Sequence, residues 1–377
     1  MSAEKIIRPF GELASFVSGS RPQGGVGQIK EGALSLGGEH VGVDGKVALS
    51  TPKYVPMDYY EANPKGHIKN GDILLCKDGA LSGKVALERG ELSGLQSMVN
   101  EHVFIIRTEK LDQKYLFYYL FSPIGQRLLK GIVTGAAQGG INGKNLKSIP
   151  VVYPDSIPEQ RLIVEELDIL TNIIDRKNAQ MRDLDALSDS LFYEMFGDPS
   201  INDRHWETQS LRNLCDKLYA GGDVPKDRLS KEKTSTFSVP ILSNGKGDSA
   251  LYGYTDIPRE TSEAITISGR GTIGYSSIQT EPFFPVVRLI VAVPKPSVEI
   301  SFLQKQLSLM EFESTGGAIP QLTIPMVRDR RLINPPIEIQ REYAEKRKLI
   351  EQQKSIIFDS LSAVKSLLKN RMDHCFN

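Results

Sequence analysis

The sequence predicts an α+β protein made of two copies of one unit, each a globule followed by a long helix. Three observations carry this. An internal repeat recurs at an offset of about 180 residues. The first part of each copy has short apolar runs between Gly- and Pro-rich stretches. The second part carries an apolar stripe with steps of three, four and seven. A period this long denotes duplicated domains and not a solenoid of short repeats.

The repeat is read from both ends of the unit. Thr134-Gly135-Ala136-Ala137 recurs as Thr315-Gly316-Gly317-Ala318, and Ile157 with Gln160-Arg161 recurs as Ile337 with Gln340-Arg341. At the front, Phe10-Gly11-Glu12-Leu13 precedes Gly19, as Leu211-Arg212-Asn213-Leu214 precedes Gly221-Gly222. The expected division is 1–155 and 200–335 for the globules, with 156–199 and 336–377 for the long helices.

Within the globules, Ile73–Cys76, His102–Ile106 and Arg288–Val293 are bounded apolar runs and read as strands. Gln113 to Lys130 reads as one helix, with Leu116, Tyr119, Leu120 and Leu128 as its apolar positions. In the first rod the seam is Ile163, Leu167, Leu170, Ile174, Met181, Leu184 and Leu191, with Lys177 and Ser188 as polar breaks and Gly197 and Pro199 as the stop. In the second it is Tyr343, Ile350, Ile357 and Val364, flanked by Leu361 and Leu368. Forty residues at ~1.5 Å each make a rod of roughly 60 Å. Neither rod hides its stripe alone. The economical solution is an antiparallel coiled coil, which makes the whole pseudo-two-fold symmetric.

Composition excludes several function classes. Of 377 residues, 40% are hydrophobic and 24% charged, ordinary values for a globular chain and far from those of a disordered one. Lys+Arg and Asp+Glu are 46 each, so the net charge is zero, which argues against nonspecific coating of nucleic acid but allows local basic patches. Cys76, Cys215 and Cys375 are few and unpaired in spacing, the pattern of free thiols in a reducing compartment; a cytoplasmic protein is expected. No run of about 18 apolar residues suggests a membrane span. Met1 to Phe10 has no apolar core of a signal peptide.

Motifs for catalysis are weak. Gly269-Arg270-Gly271-Thr272-Ile273-Gly274 spells the dinucleotide fingerprint and follows a strand, Ala264–Ser268, but Tyr275–Ile278 after it is β-like and not a helix. A tight strand–turn–strand with glycines at positive φ fits better. Asn334-Pro335-Pro336-Ile337 is similar to the N-P-P-aromatic motif of adenine methyltransferases, but Ile337 cannot stack as a ring would, and prolines between a strand and a helix explain it. The histidines, His40, His67, His102, His205 and His374, have no metal-ligand spacing, and Asp155 with Glu159 reads as a solvated helix start. Gly79 to Lys84 is one residue short of a phosphate-binding loop. No catalytic or metal site is therefore expected.

What remains is a duplicated set of basic and amide groups on Gly-rich loops. Arg21, Lys77, Lys84, Asn142, Lys144 and Lys147 lie in the first copy; Lys226, Lys246, Arg270, Gln321 and Arg328 lie in the second. Such groups contact phosphates and base edges. Two like modules on a rigid spacer suit a target with two separated parts, and duplex DNA is one.

In this arrangement the chain resembles the specificity subunit of type I restriction-modification systems. The resemblance covers nearly the whole sequence. It rests on Thr134-Gly135-Ala136-Ala137-Gln138 with Ile141-Asn142 and Leu146 to Ile149, on Pro158-Glu159-Gln160 opening the first rod, and on Met195-Phe196-Gly197-Asp198-Pro199 ending it. In the second copy it rests on Ser268 to Gly274, Thr315 to Gln321 and Pro335-Pro336-Ile337-Glu338. The sequence departs from the family's proline-proline-leucine form in both copies, and the R-G-T-I-G type turn is stretched in the first to Asp78 through Gly83.

The resemblance implies a non-catalytic protein whose globules are target recognition domains, each reading one half of a split double-stranded DNA sequence. It implies that the coiled coil docks two methyltransferase subunits, and that these, not this chain, bind S-adenosylmethionine and methylate adenine. Translocase-nuclease subunits would join for cleavage. Two other classes remain open at this point. One is an enzyme using Asn334-Pro335-Pro336 or Gly269 to Gly274. The other is a scaffold without sequence readout, or the specificity subunit of another split-site system.

Overall fold

The computed structural model describes residues 5–26, 29–134, 139–312 and 321–377. Most of the repeated Thr134–Ala137 and Thr315–Ala318 segments, with Gln138, lies outside the described residues. The chain forms two compact units, one of residues 1–179 with 359–377, the other of residues 180–358.

The first copy runs β1 (Lys5–Pro9), α1 (Phe10–Leu13), β2 (Ser15–Ser18), β3 (Ala33–Leu36), β4 (Tyr54–Val55), α2 (Met57–Ala62), β5 (Ile73–Cys76), β6 (Val85–Leu87), β7 (Ser97–Val99), β8 (Val103–Arg107), α3 (Gln113–Phe121), α4 (Pro123–Gly131), α5 (Gly143–Ser148), β9 (Pro150–Pro154) and α6 (Ile157–Phe196). The second runs β10 (Thr208–Ser210), α7 (Leu211–Leu214), β11 (Cys215–Ala220), β12 (Val239–Leu242), β13 (Leu251–Thr255), β14 (Ala264–Ile267), β15 (Ser276–Gln279), β16 (Phe284–Pro285), β17 (Ile290–Pro294), α8 (Ile300–Ser308), α9 (Ile324–Arg328), β18 (Arg331–Ile333) and α10 (Ile337–Phe376).

Sheet by sheet, the second copy reproduces the first. The four-stranded sheets are antiparallel, in the orders β2-β8-β5-β6 and β11-β17-β14-β15. The three-stranded sheets β4-β3-β7 and β13-β12-β16 each join one antiparallel to one parallel pair. The pairs β1-β9 and β10-β18 close each globule where its rod departs. Central strands β5 and β14 are buried along their whole length, which is why Ile-Leu-Leu-Cys and Ala-Ile-Thr-Ile read as continuous runs without alternation.

Two expectations need correction. Gln113 to Lys130 is not one helix. Pro123 cannot continue the α3 hydrogen-bond ladder, so α3 ends and α4 begins with Ser122 as its cap, whose Oγ accepts from Gly125 N at 3.1 Å. The strand expected from Arg288 starts at Ile290, because Val287 and Arg288 take left-handed backbone angles, φ 52° and 61°.

Each rod is a 40-residue helix, and Gly197 at φ 74° ends the first. Within the first unit, Arg371 grips Glu166 with two bonds of 2.5 and 2.6 Å, while Ile163, one turn earlier, lies beside His374 and Cys375. Within the second unit, Lys354 reaches Asp185 at 2.9 Å, and Phe192 stands edge-on to Tyr343. In both units, advancing along α6 means retreating along α10, so the helices pair antiparallel. Of the positions expected in the seam, Leu167, Leu170, Tyr343, Ile350 and Leu361 are buried, and Ile163, Ile174, Met181, Leu184, Leu191, Ile357, Val364 and Leu368 are half-buried. Ser188, the polar interruption of the stripe, is itself buried at 7% exposure.

The rod ends belong to the globules' cores. In the first unit, Val164 and Leu167 of α6 and Met372 and Phe376 of α10 join Phe10, Leu75, Tyr115 and Tyr119. In the second, Phe192, Phe196, Phe302 and Tyr343 form an aromatic cluster. The joint itself is made by a fully buried glutamine in each copy. Gln160 Oε1 accepts from Asp112 N at 2.8 Å, and its Nε2 donates to Pro154 O at 2.9 Å. Gln340 Oε1 accepts from Glu299 N at 2.9 Å, and its Nε2 donates to Pro335 O at 2.7 Å. Asp112 and Glu299 are the N-caps of α3 and α8, so each glutamine bolts a rod's first turn to the same place in its globule.

Candidate nucleic-acid interface

In the first unit, basic side chains are interleaved with aromatic rings around the ends of β2, β5 and β8. Lys77 Nζ lies 4.9 Å from the centre of the Phe104 ring and donates to Ser18 Oγ at 3.2 Å. Phe104 meets Phe16 edge-on at 4.9 Å, and Lys147 Nζ lies 5.9 Å from Phe16. Carboxylates balance part of this charge: Arg21 pairs with Glu101 at 2.6 Å, and His102 stands between Asp78 (3.2 Å) and Glu101 (3.3 Å).

Not all first-copy candidates are loop groups. Lys144 and Lys147 are exposed on α5, and Asn142 is its N-cap, accepting from Asn145 N at 2.8 Å. That cap explains why an asparagine stands just before a helix, a signal available in the sequence. Lys84 lines a groove of about 600 Å³ with Lys130, Lys365 and Lys369.

In the second unit, three loops and Gln321 converge. Ser268, Gly269 and Arg270 follow β14. Asn244, Gly245 and Lys246 follow β12. Val287 and Arg288 precede β17. Asn244 ties them: its Oδ1 accepts from Gly269 N at 2.7 Å and its Nδ2 donates to Val287 O at 2.8 Å. Gln321 Oε1 accepts from Arg270 Nη2 at 3.1 Å and from Arg288 Nη1 at 3.3 Å. Lys246 is exposed, with its ammonium 5.7 Å from the Tyr275 ring centre. The expected strand–turn–strand at the glycine motif is the β14–β15 hairpin, with Gly271 and Gly274 at φ 69° and 80°. Two other candidates stand off: Lys226 is exposed in a 3₁₀ turn, and Arg328, at the end of helix α9 and not on a loop, pairs with neighbouring Asp329 at 3.0 Å.

Sequence reasoning missed Arg288 and Asn244. Val287 and Arg288 are consecutive L-residues in the left-handed region, an arrangement that costs about 1–3 kcal/mol per residue. It is held by Val287 N to Gly222 O (2.9 Å) and Arg288 N to Gly221 O (3.1 Å). The close approach requires glycine at 221, where a Cβ would stand 2.7 Å from the Pro285 backbone. The only sequence signal was that pair of glycines.

The thiols are withdrawn from solvent. All three are buried, and burial pushes Cys76, Cys215 and Cys375 above the usual thiol range, Cys215 to about 12. Among the described residues no cluster of His, Cys, Asp and Glu could hold a metal ion, and no helix is long and apolar enough to cross a membrane.

A duplicated α+β globule with basic, amide-rich loops and a long helix in each copy is the build of a DNA-specificity protein. The model of the type I restriction modification DNA specificity domain matches residues 20–183 and again 203–358, and the chain belongs to that family. It is 31% identical over 279 residues to a Mycoplasma pneumoniae protein described as a type I specificity subunit, covering 73% of each chain. It is 28% identical over 146 residues to the MjaVIII specificity subunit of Methanocaldococcus jannaschii, covering 37% of this chain and 34% of that one. The fold is similar to the crystal structure of a type I S subunit from M. genitalium, with a TM-score of 0.60 and 14% identity over 100% of this chain and 97% of that one. The chain is thus a specificity subunit of the type I restriction-modification class.

Proposed function

We propose that this chain is the non-catalytic subunit that selects a split target on double-stranded DNA, one recognition domain per half. The observation that carries the reading is the repeated topology, which presents equivalent strand-end loops in both copies with different side chains: Arg21, Lys77 and His102 with carboxylates in one, Arg270, Arg288 and Gln321 in the other. Same scaffold and different polar groups suit two different half-sites. Residues 156–199 and 336–377 form the spacer whose length sets the unread gap.

The rods also dock two methyltransferase subunits. In support, Leu162 and Ile169 on α6, and Leu349 and Ile356 on α10, are seven residues apart and 60–64% exposed, apolar stripes outside the seam. S-adenosylmethionine binds on those partners, which methylate adenine, and translocase-nuclease subunits join for cleavage. The complex works in the cytoplasm.

The test is to co-express the chain with its methyltransferase partner in a host lacking adenine methylation and map methylated adenines. A two-part motif with a fixed gap is expected. Methylation that does not need this chain, or has no split motif, would overturn the reading and favour a scaffold.

A further inference from the structure

We infer that Arg270 and Arg288 form a twin-guanidinium head in the second domain, with Arg288 as the specificity-determining residue, reading the acceptor edge of a guanine. The inference rests on the DNA reading above and adds to it a ligand and a residue.

Three observations carry it. First, two guanidiniums converge on one neutral acceptor, Gln321 Oε1, at 3.1 and 3.3 Å. Among the described residues neither has a carboxylate partner, and the buried Arg270 Nε has no hydrogen-bond partner among them either. Two positive groups share one neutral acceptor, which leaves donors that a ligand's acceptors can take over from water. Second, the head is held rigidly. Asn244 latches both the Gly269 and the Val287 backbones, Leu322 N donates to Gly269 O at 2.8 Å, and Gly221 and Gly222 hold the left-handed pair. A strained conformation fixed from several sides marks a place where side-chain direction matters more than local comfort. Third, Arg288 and Val287 are exposed while their neighbours Val286 and Leu289 are buried, so the turn presents the Arg288 side chain to solvent.

The chemistry recognised is a pair of acceptors a few ångströms apart. A phosphate offers such a pair, and so does the O6/N7 edge of guanine, which takes an arginine fork in the major groove. Phosphate contacts are made well by flexible, solvated lysines, whereas this head is pre-positioned by an amide latch and a strained turn, which favours the base edge.

The variant that isolates the idea is Arg288→Gly in the full chain, co-expressed with its methyltransferase partner. Glycine accepts φ 61° without strain, so the turn persists while the fork is lost. The expected methylation map loses preference at one guanine-containing position in one half of the motif, by roughly ten-fold, and the other half is unchanged. Arg288→Lys, which keeps charge but not the fork, should relax the same position. Arg270→Ala, which leaves the turn untouched, should do so as well. An unchanged motif in all three variants would overturn the inference. A loss equal at every site, with binding less dependent on salt, would make the head a phosphate clamp and overturn the base reading. If the unaltered chain gives no split motif, the underlying function fails instead, so the two failures are distinguishable.

Discussion

At the scale of the residue, charge is used sparingly and in place. Arg371 holds Glu166 below the usual carboxylate range, because the bidentate bond favours the ionised carboxylate. A depressed carboxylate adds stability above its ordinary range and loses it as pH falls through the lowered value. Both side chains are more than a third exposed, so Arg371→Ala should cost no more than about 1 kcal/mol near neutrality. The gap between the two proteins should close as the medium is acidified towards pH 3, in urea unfolding curves taken across that range. A gap that widens on acidification would contradict the pairing. Most candidate cations were legible as residue types, but their partners were not. Nothing in the local sequence tells that Arg21 meets Glu101 or that Arg270 and Arg288 share Gln321, since these contacts are made by chain reversals 33 to 80 residues long. Arg288 was missed for a different reason: it looked like the first residue of a strand, and only the backbone shows it in the left-handed region.

At the scale of the element, the strongest sequence signals were those with a period. The long helix Ile157–Phe196, its stop at Gly197 and the strand Ile73–Cys76 all follow from apolar spacing and turn chemistry. The false single helix at Gln113–Lys130 shows the limit of the method. Both halves are rich in apolar residues, and the Ser-Pro step between them carries the decisive information. Gln160 and Gln340 show another limit. Each looks like an ordinary polar helix residue, yet each is buried and satisfies groups on both sides of a joint. Gln160→Leu keeps the volume but leaves Asp112 N and Pro154 O without this partner. A loss of about 2–4 kcal/mol is expected from two stranded groups, readable in chemical denaturation. Gln160→Glu should also destabilise, because it replaces the donor to Pro154 O with an acceptor. A Leu variant as stable as the parent would show that the joint is held by packing alone.

At the scale of the whole molecule, duplication was visible because two copies of one solution keep the same anchors, Phe10–Leu13 against Leu211–Leu214 and Gln160 against Gln340. What differs between the copies is the set of groups at the strand ends, which is where the proposed reading of two half-sites requires a difference. The glutamine joints have one more consequence, and it concerns time. The amide protons of Asp112 and Glu299 sit at helix starts, positions that ordinarily trade with solvent within moments because the first turn lacks internal acceptors. Here each is held by a dry side-chain oxygen, so its release requires the joint to open. In deuterium exchange these two protons should rank with the central strands and not with the other helix starts. Their rates then act as paired clocks, one per copy, reporting how often each globule lets go of its rod.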